Sequence, residues 1–248
     1  VEILDAQDRP RLNHRGGGQS KRKTTHRHCA NSASLTFVQG DFSSKKKAKK
    51  KTQDVQRISD YIAGQGYEKY TVATFAGGCF WCTEAAFERI RGVVDVISGY
   101  SGGSEEYPTY EQVGAGRTGH AEAIQIYYDP AVVSFETLLD VFFVAHDPTQ
   151  LNRQGPDVGR QYRSAIFYHD ETQKQAAEAA MKKLGDSDKF SDPIVTELVP
   201  YTEFWTAESY HQDYYPNHPE NPYVQRVSKP KVEKVEKVFK DILKADRQ

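Results

Sequence analysis

Between His120 and Tyr128, apolar and polar side chains follow the two-residue period of a strand. Glu122, Ile124, Ile126 and Tyr128 fall on one face, and Gln125 belongs to the other. Tyr70 to Phe75, Val93 to Ile97, Ser164 to Tyr168 and Ile194 to Val199 are short β-branched or aromatic runs that predict further strands. Other stretches follow helical spacing. Ala85, Ala86, Phe87 and Ile90 suit a helix from Cys79 to about Arg91, ended by Gly92. Leu138, Leu139, Phe142 and Phe143 suit a second behind a Ser134 cap. Asp170 and Gln173 predict a capping box for a third reaching Leu184. After Pro230, Val232, Val235, Val238, Phe239, Ile242 and Leu243 mark a final amphipathic helix. Ser98 to Gly119 and Asp147 to Gly159 read as long polar surface loops, a kind that is commonly functional. Strands and helices mix without regular alternation. The expected fold is α+β, a two-layer sandwich of helices on a mixed, mainly antiparallel sheet.

Charge divides the chain. Residues 1–57 hold fourteen Lys or Arg against five Asp or Glu, which leaves the rest of a chain of net charge −1 at −10. That first segment includes Gly16-Gly17-Gly18 and the run Lys45-Lys46-Lys47-Ala48-Lys49-Lys50-Lys51, and no periodic apolar face. It reads as a disordered basic tail, with a globular domain over 58–248. A nucleic-acid-binding patch is the sharper reading of the lysines, but the acidic domain argues against nucleic acid as the main partner. No apolar run approaches the roughly 18 residues a membrane span needs. Three cysteines, Cys29, Cys79 and Cys82, are too few and odd in number for a disulfide-stapled secreted scaffold. They fit a reducing compartment. The cytoplasm is the expected location, with an organelle as the alternative because of the basic tail.

Cys79 falls where a strand ends, Gly77 and Gly78 turn the chain, and a helix begins. Unpaired amides and the positive end of the helix dipole favour a thiolate there, and the thiolate is the nucleophilic form of cysteine. Cys82 lies three positions on. Helical neighbours at this spacing have Cβ atoms about 5–6 Å apart, and a disulfide wants about 3.5–4.5 Å. A modest adjustment would join them, so Cys82 is a reasonable resolving thiol. The pair could also be half a zinc site, but no second cysteine pair exists to complete it. A buried, inert cysteine is the remaining alternative. No metal or cofactor is expected.

Glu122 is a carboxyl on an apolar strand face. Desolvation disfavours its charged form, so it can stay protonated near neutrality as a general acid requires. A buried ion pair with Arg or an edge position would explain it as well. Tyr110 and Tyr162 offer phenols that can donate to an oxygen gaining charge, although spacing alone does not set them apart from tyrosines that simply pack. Asp157, five residues before Tyr162, could orient such a network.

Gly78-Cys79-Phe80-Trp81 resembles the signature of the peptide methionine sulfoxide reductase A family. The likeness continues in order through Gly99-Tyr100-Ser101-Gly102-Gly103, Pro108-Thr109-Tyr110, Gly119-His120-Ala121-Glu122 and Tyr128-Asp129-Pro130. It runs on through His146-Asp147-Pro148-Thr149, Asn152-Arg153-Gln154-Gly155, Asp157-Val158-Gly159 and Gln161-Tyr162-Arg163-Ser164. Ala207-Glu208-Ser209-Tyr210-His211-Gln212 completes it, so that the resemblance covers roughly residues 70–240.

The resemblance implies that 58–248 is a methionine-S-sulfoxide reductase domain acting in protein repair, using no cofactor and taking free or protein-bound methionine sulfoxide. It implies that Cys79 attacks the sulfoxide sulfur, that Phe80 and Trp81 form the methyl pocket, and that Glu122 protonates the oxygen. Tyr110 and Tyr162 would hydrogen-bond that oxygen, Asp157 would support the network, and His211 and Tyr214 would border the site. Cys79 would become a sulfenic acid, then a disulfide reduced by thioredoxin. Two departures stand out: Cys82 replaces the glycine common after Phe-Trp, and nothing after Cys82 is Cys. They fit each other if Cys82 is the resolver. Cys29 is a second candidate, and a glutathione or glutaredoxin route without a resolver is a third. A monomer is the default expectation.

Overall fold

The computed structural model describes residues 55–245. The basic run and Cys29 lie outside the described residues. The main elements in chain order begin with α1 (Ile58–Ile62), β1 (Thr71–Gly77), α2 (Phe80–Glu88), β2 (Val93–Ser101), α3 (Tyr110–Gly114), β3 (Ala121–Tyr128), α4 (Phe135–Ala145) and β4 (Arg153–Gln154). Then come β5 (Asp157–Val158), β6 (Ser164–Tyr168), α5 (Glu171–Gly185), β7 (Glu197–Pro200), β8 (Phe204–Thr206), α6 (Tyr214–Asn217) and α7 (Lys229–Val238).

Six strands form one sheet in the order β7-β6-β1-β3-β2-β8, and β4 pairs β5 in a separate hairpin. Within that sheet the β6–β7 pairing is parallel and the others are antiparallel. The α+β architecture with a mixed, mainly antiparallel sheet is therefore the one expected. β3 lies between β1 and β2, and all eight of its residues are buried. Phe75, Phe80, Phe87, Ile124, Ile126, Leu138, Phe142 and Val235 join β1, β3, α2, α4 and α7 in the main core. Burying each such side chain stabilises the fold by about 1.5–3 kcal/mol. The opposite face packs Ile97, Ala123, Tyr127, Phe167 and Phe204 against Ile58 of α1 and nearby tyrosines. Alternation along β3 thus sends Glu122 to the helix-covered side and Ala123 to the other.

Several boundaries differ from the pattern, for reasons of tertiary pairing. β2 continues through Ser98-Gly99-Tyr100-Ser101, which the sequence pattern places in a loop. Those residues pair with β3 on one side, and Gly99 to Ser101 pair with β8 on the other. A side chain at Gly99 would sit 2.2 Å from the Trp205 carbonyl, so the weak strand former is the residue that lets the strands approach. The rest of that loop holds α3, whose capping box is Thr109 with Gln112. At Asp170 the box does not close. Asp170 accepts from the Gln173 amide, but the Gln173 side chain bonds His169 N and Val72 O instead. The polar stretch 147–159 contains the β4–β5 hairpin, and the last helix stops at Val238 before a turn over Lys240–Ile242. Residues 55–57, which the sequence pattern assigns to the tail, pack onto the fold. Val55 is buried, and Gln56 N donates to Thr206 Oγ1 at 3.2 Å. One apolar side chain and a strand edge are enough to hold them.

No helix among the described residues is long and apolar enough to cross a membrane. Among the described residues, no group of three or more His, Cys, Asp or Glu is placed to hold a metal ion.

Candidate active site

Cys79 caps α2, with φ −57° and ψ 122°, directly after β1 has turned through Gly78. Gly78 has φ +93°, and a Cβ there would lie 2.6 Å from the side chain of Gln154. The turn therefore needs glycine for its backbone and for its contact with the β4–β5 hairpin. Phe80, Trp81 and Cys82 complete the first turn of α2, all at most 2% exposed. The helix entrance and the centre of the sheet meet here. Phe80 N donates to Glu122 Oε2 at 3.1 Å.

Neither Cys79 nor Cys82 is in a disulfide, and both are buried. Cys82 N donates to the Cys79 carbonyl at 3.1 Å, so the two residues are joined by a tight turn. The Cys82 thiol donates to Ser228 Oγ at 3.2 Å. Its hydrogen bond with the Cys79 side chain brings the Cys82 pKa down to about 7, aided by the Lys231 charge and Ser228 and opposed by burial and Asp157. A thiolate is thus accessible near neutrality, and its charge belongs to the pair of adjacent sulfurs.

Burial drives Glu122 in the opposite direction. It is 1% exposed, and its carboxyl is held well above the usual range. The Phe80 amide opposes that rise, while Asp157 and Cys82 add to it. The arginine ion pairs among the described residues go to Glu106, Glu203, Glu236 and Glu197 rather than to Glu122. A protonated acid and an acidic thiol therefore stand around the same helix end.

Aromatic rings form the wall. Phe80 lies 5.9 Å from the Tyr100 ring, 6.4 Å from Tyr110 and 5.1 Å from His211, measured between centroids. Trp81 stacks on Tyr214 at 3.6 Å and 5°, and meets Tyr223 edge-on at 5.9 Å. Trp81 Nε1 donates to His211 Nδ1 at 3.1 Å. Burial pushes His211 down to about 3, so the ring is neutral. With Nδ1 accepting, the ring proton is on Nε2, which is buried with no partner among the described residues.

The sequence candidates are distributed as follows. Cys79, Cys82, Phe80, Trp81 and Glu122 converge at the α2 entrance, and Tyr110, His211 and Tyr214 join them through ring contacts. Asp157 is buried on the hairpin, where it accepts from the Tyr223 hydroxyl. Tyr162 is buried in the turn Arg160–Tyr162, beside β3 and β4. Three neighbours were not singled out from sequence: Tyr100, Glu208 and Tyr223. Tyr100 is fully buried and donates to Glu208 Oε2 at 2.8 Å, and Glu208 Oε1 accepts from Tyr110 N at 2.9 Å. Glu208 thereby ties β2 to α3. Tyr223, in a helical lead-in to the turn Val224–Ser228, has no sequence periodicity to reveal it, whereas Tyr100 opposes Glu122 across the ladder and could have been found by pairing the strands.

Comparison with known proteins agrees across nearly the whole fold. The family model "Peptide methionine sulfoxide reductase" matches residues 71–243. The chain is 57% identical over 173 residues to peptide methionine sulfoxide reductase MsrA 1 of Rhodopirellula baltica, covering 70% of this chain and 89% of that protein. Against peptide methionine sulfoxide reductase MsrA of Thermus thermophilus it is 54% identical over 173 residues, covering 70% and 97%. The reduced form of Mxr1 from Saccharomyces cerevisiae matches in structure with a TM-score of 0.57 and 36% identity, over 62% of this chain and 90% of that one.

Proposed function

The chain belongs to the peptide methionine sulfoxide reductase family and is a methionine-S-sulfoxide reductase, and we propose that Cys79 and Glu122 carry its chemistry. The observation that supports this most is the bond from Phe80 N to Glu122 Oε2, which sets a buried carboxyl one residue from the nucleophile. In the first step the Cys79 sulfur attacks the sulfoxide sulfur while Glu122 gives its proton to the oxygen. Oxygen passes to Cys79, methionine leaves, and Cys79 becomes a sulfenic acid. The sulfoxide sulfur is reduced by two electrons and Cys79 is oxidised by two.

Phe80 and Trp81 offer an apolar surface for the substrate methyl group. Tyr110 and Tyr162 are assigned hydrogen bonds to the substrate oxygen, and Asp157, through Tyr223, orders the surrounding network. His211 and Tyr214 border the pocket, and the unpartnered Nε2–H of His211 is a donor a polar substrate atom can use. Water excluded from such a site strengthens each of these interactions.

Cys82 is assigned as the resolving thiol. Its sulfur attacks Cys79, the S–S bond forms, the S–O bond breaks, and water leaves. Thioredoxin then reduces the disulfide by exchange, and a glutathione or glutaredoxin system is the alternative reductant. The chain acts as a monomer on free or protein-bound substrate, and residues 58–248 serve as its catalytic domain.

The test is a single turnover of methionine-S-sulfoxide followed by peptide mass mapping. One methionine released and a Cys79–Cys82 disulfide are expected. Loss of neither thiol, or equal turnover of the R epimer, would overturn the assignment.

A further inference from the structure

We propose that Ser228 and Lys231 form a thiolate seat for Cys82, and that they are positioning residues for the second, disulfide-forming step. The proposal rests on Cys82 being the resolving thiol.

The seat is built by an interruption in helical winding. Residues Val224–Ser228 form a π-turn that leads directly into α7. Such wide turns are rare and occur frequently at functional sites. Here the turn delivers Ser228, which is completely buried, to 3.2 Å from Cys82 Sγ. In the thiol state Cys82 donates to that hydroxyl. A serine hydroxyl can rotate and donate in return, so the same contact can solvate a thiolate.

Lys231 lies one turn further, on the same side of α7 as Ser228. Its Nζ is buried and makes no hydrogen bond with the described residues. An unpaired ammonium away from water is costly, and an anion nearby relieves the cost. Cys82 and His146 both feel its charge. His146 supplies no anion: it is engaged by the Phe142 carbonyl at 2.6 Å and by Ser164 Oγ at 2.7 Å, and burial with Lys231 holds it neutral. The Lys231 charge favours ionisation of the Cys82 sulfur.

Further groups interact with Cys82 from α2, β3, β5 and α6. Cys79 at the α2 cap shares a hydrogen bond with it. Asp157 of β5 opposes a thiolate. Glu122 of β3 and Tyr215 of α6 are each made harder to ionise by it. Among these, Lys231 is the positive charge. The step it serves is balanced. Cys82 thiolate and Cys79 sulfenic acid, with one proton, give the Cys79–Cys82 disulfide and water.

The test uses the full chain with Lys231→Met, Lys231→Arg and Ser228→Ala. Two quantities are read: the pH midpoint of thiolate absorbance in the reduced protein, and the rate of disulfide formation after one equivalent of methionine sulfoxide. Lys231→Met should raise the midpoint by about one unit, which leaves about tenfold less thiolate near neutrality. Disulfide formation should slow by about tenfold, still with one methionine released per chain. Lys231→Arg should restore both, and Ser228→Ala should shift both less. An unchanged midpoint and rate in Lys231→Met would overturn the proposal, as would a loss that Arg fails to restore. Thioredoxin-supported cycling in Cys82→Ser would defeat the resolver assignment separately, and the midpoint would still decide whether Lys231 tunes the thiol.

Discussion

The strand-and-helix half of the site, residues 71–128, and the carboxy-terminal wrap, residues 208–238, border the same helix entrance by different means. In the first, main-chain ladders do the positioning. β3 is bonded on both edges, so Glu122 inherits its place from the registers with β1 and β2. In the second, side chains do it. Gln212 bonds Ser98 N, Ser98 O and the Ala207 carbonyl, and Tyr214 stacks on Trp81. Between them Asp213 turns through φ +52°, with its amide held by Glu84 Oε1 at 3.2 Å. A ladder resists movement collectively, whereas a wrap held by individual contacts can yield one contact at a time. The first half should therefore carry the bond-making steps, and the second should govern binding and tuning.

The sharpest test is Cys79→Ser, which should abolish methionine formation altogether in a stereospecific sulfoxide assay. Measurable thioredoxin-dependent turnover would remove the nucleophile from the strand-and-helix half. Glu122→Gln keeps the shape but loses the proton, so the sulfoxide step should slow by about 10²- to 10⁴-fold. Its pH dependence has a definite sign. A protonated Glu122 is required, and its carboxyl is held well above the usual range, so wild-type activity should fall on the alkaline side as it ionises. Glu122→Gln should lose the alkaline fall. An unchanged rate and profile would show that another group supplies the proton.

How far the two halves are legible in sequence follows from how they are built. β3 and α4 declare themselves by period, and the period alone puts Glu122 on an apolar face. Cys79 reads as a helix entrance because two glycines precede it. Ser98 to Ser101 do not read as strand, since Gly99 and its serine neighbours outweigh Tyr100 in the pattern, and the segment is held by pairing with β3 and β8. The wrap is harder still. His211 and Tyr214 follow from family likeness alone. Tyr223 and Ser228 lie in a stretch without a repeating pattern, and Lys231 reads as one more surface lysine of the last helix. Their roles depend on which side chain they reach, and Cys82 is 146 residues from Ser228.

A change in the wrap should act on binding. Tyr214→Ala removes a stack on Trp81, a contact worth about 0.5–1.5 kcal/mol. That corresponds to a KM raised by about two- to tenfold, with kcat little changed, in steady-state assays on a peptide sulfoxide. A fall in kcat of the size expected for Glu122→Gln would erase the distinction between the halves.

The smallest expected effect is on stability, at the seam between them. Glu88, on α2, is pushed up to about 7, first by burial and then by the Asp213 charge and a hydrogen bond with Asp213. The folded state therefore keeps this proton to higher pH than the unfolded chain, whose Glu has the ordinary value of 4.5. The protonated carboxyl's contribution is fully present below about pH 4.5 and is lost as pH rises through about 7. Glu88→Gln stays uncharged throughout. It should match the wild type in free energy of urea unfolding at low pH and exceed it at about pH 8, by about 1–2 kcal/mol after allowance for partial exposure. Amide exchange should show where the wild-type loss falls. If the wrap is the looser half, protection around Asp213 and Tyr214 declines with rising pH while β3 stays protected, and equal decline in both would mean that the seam belongs to one cooperative unit.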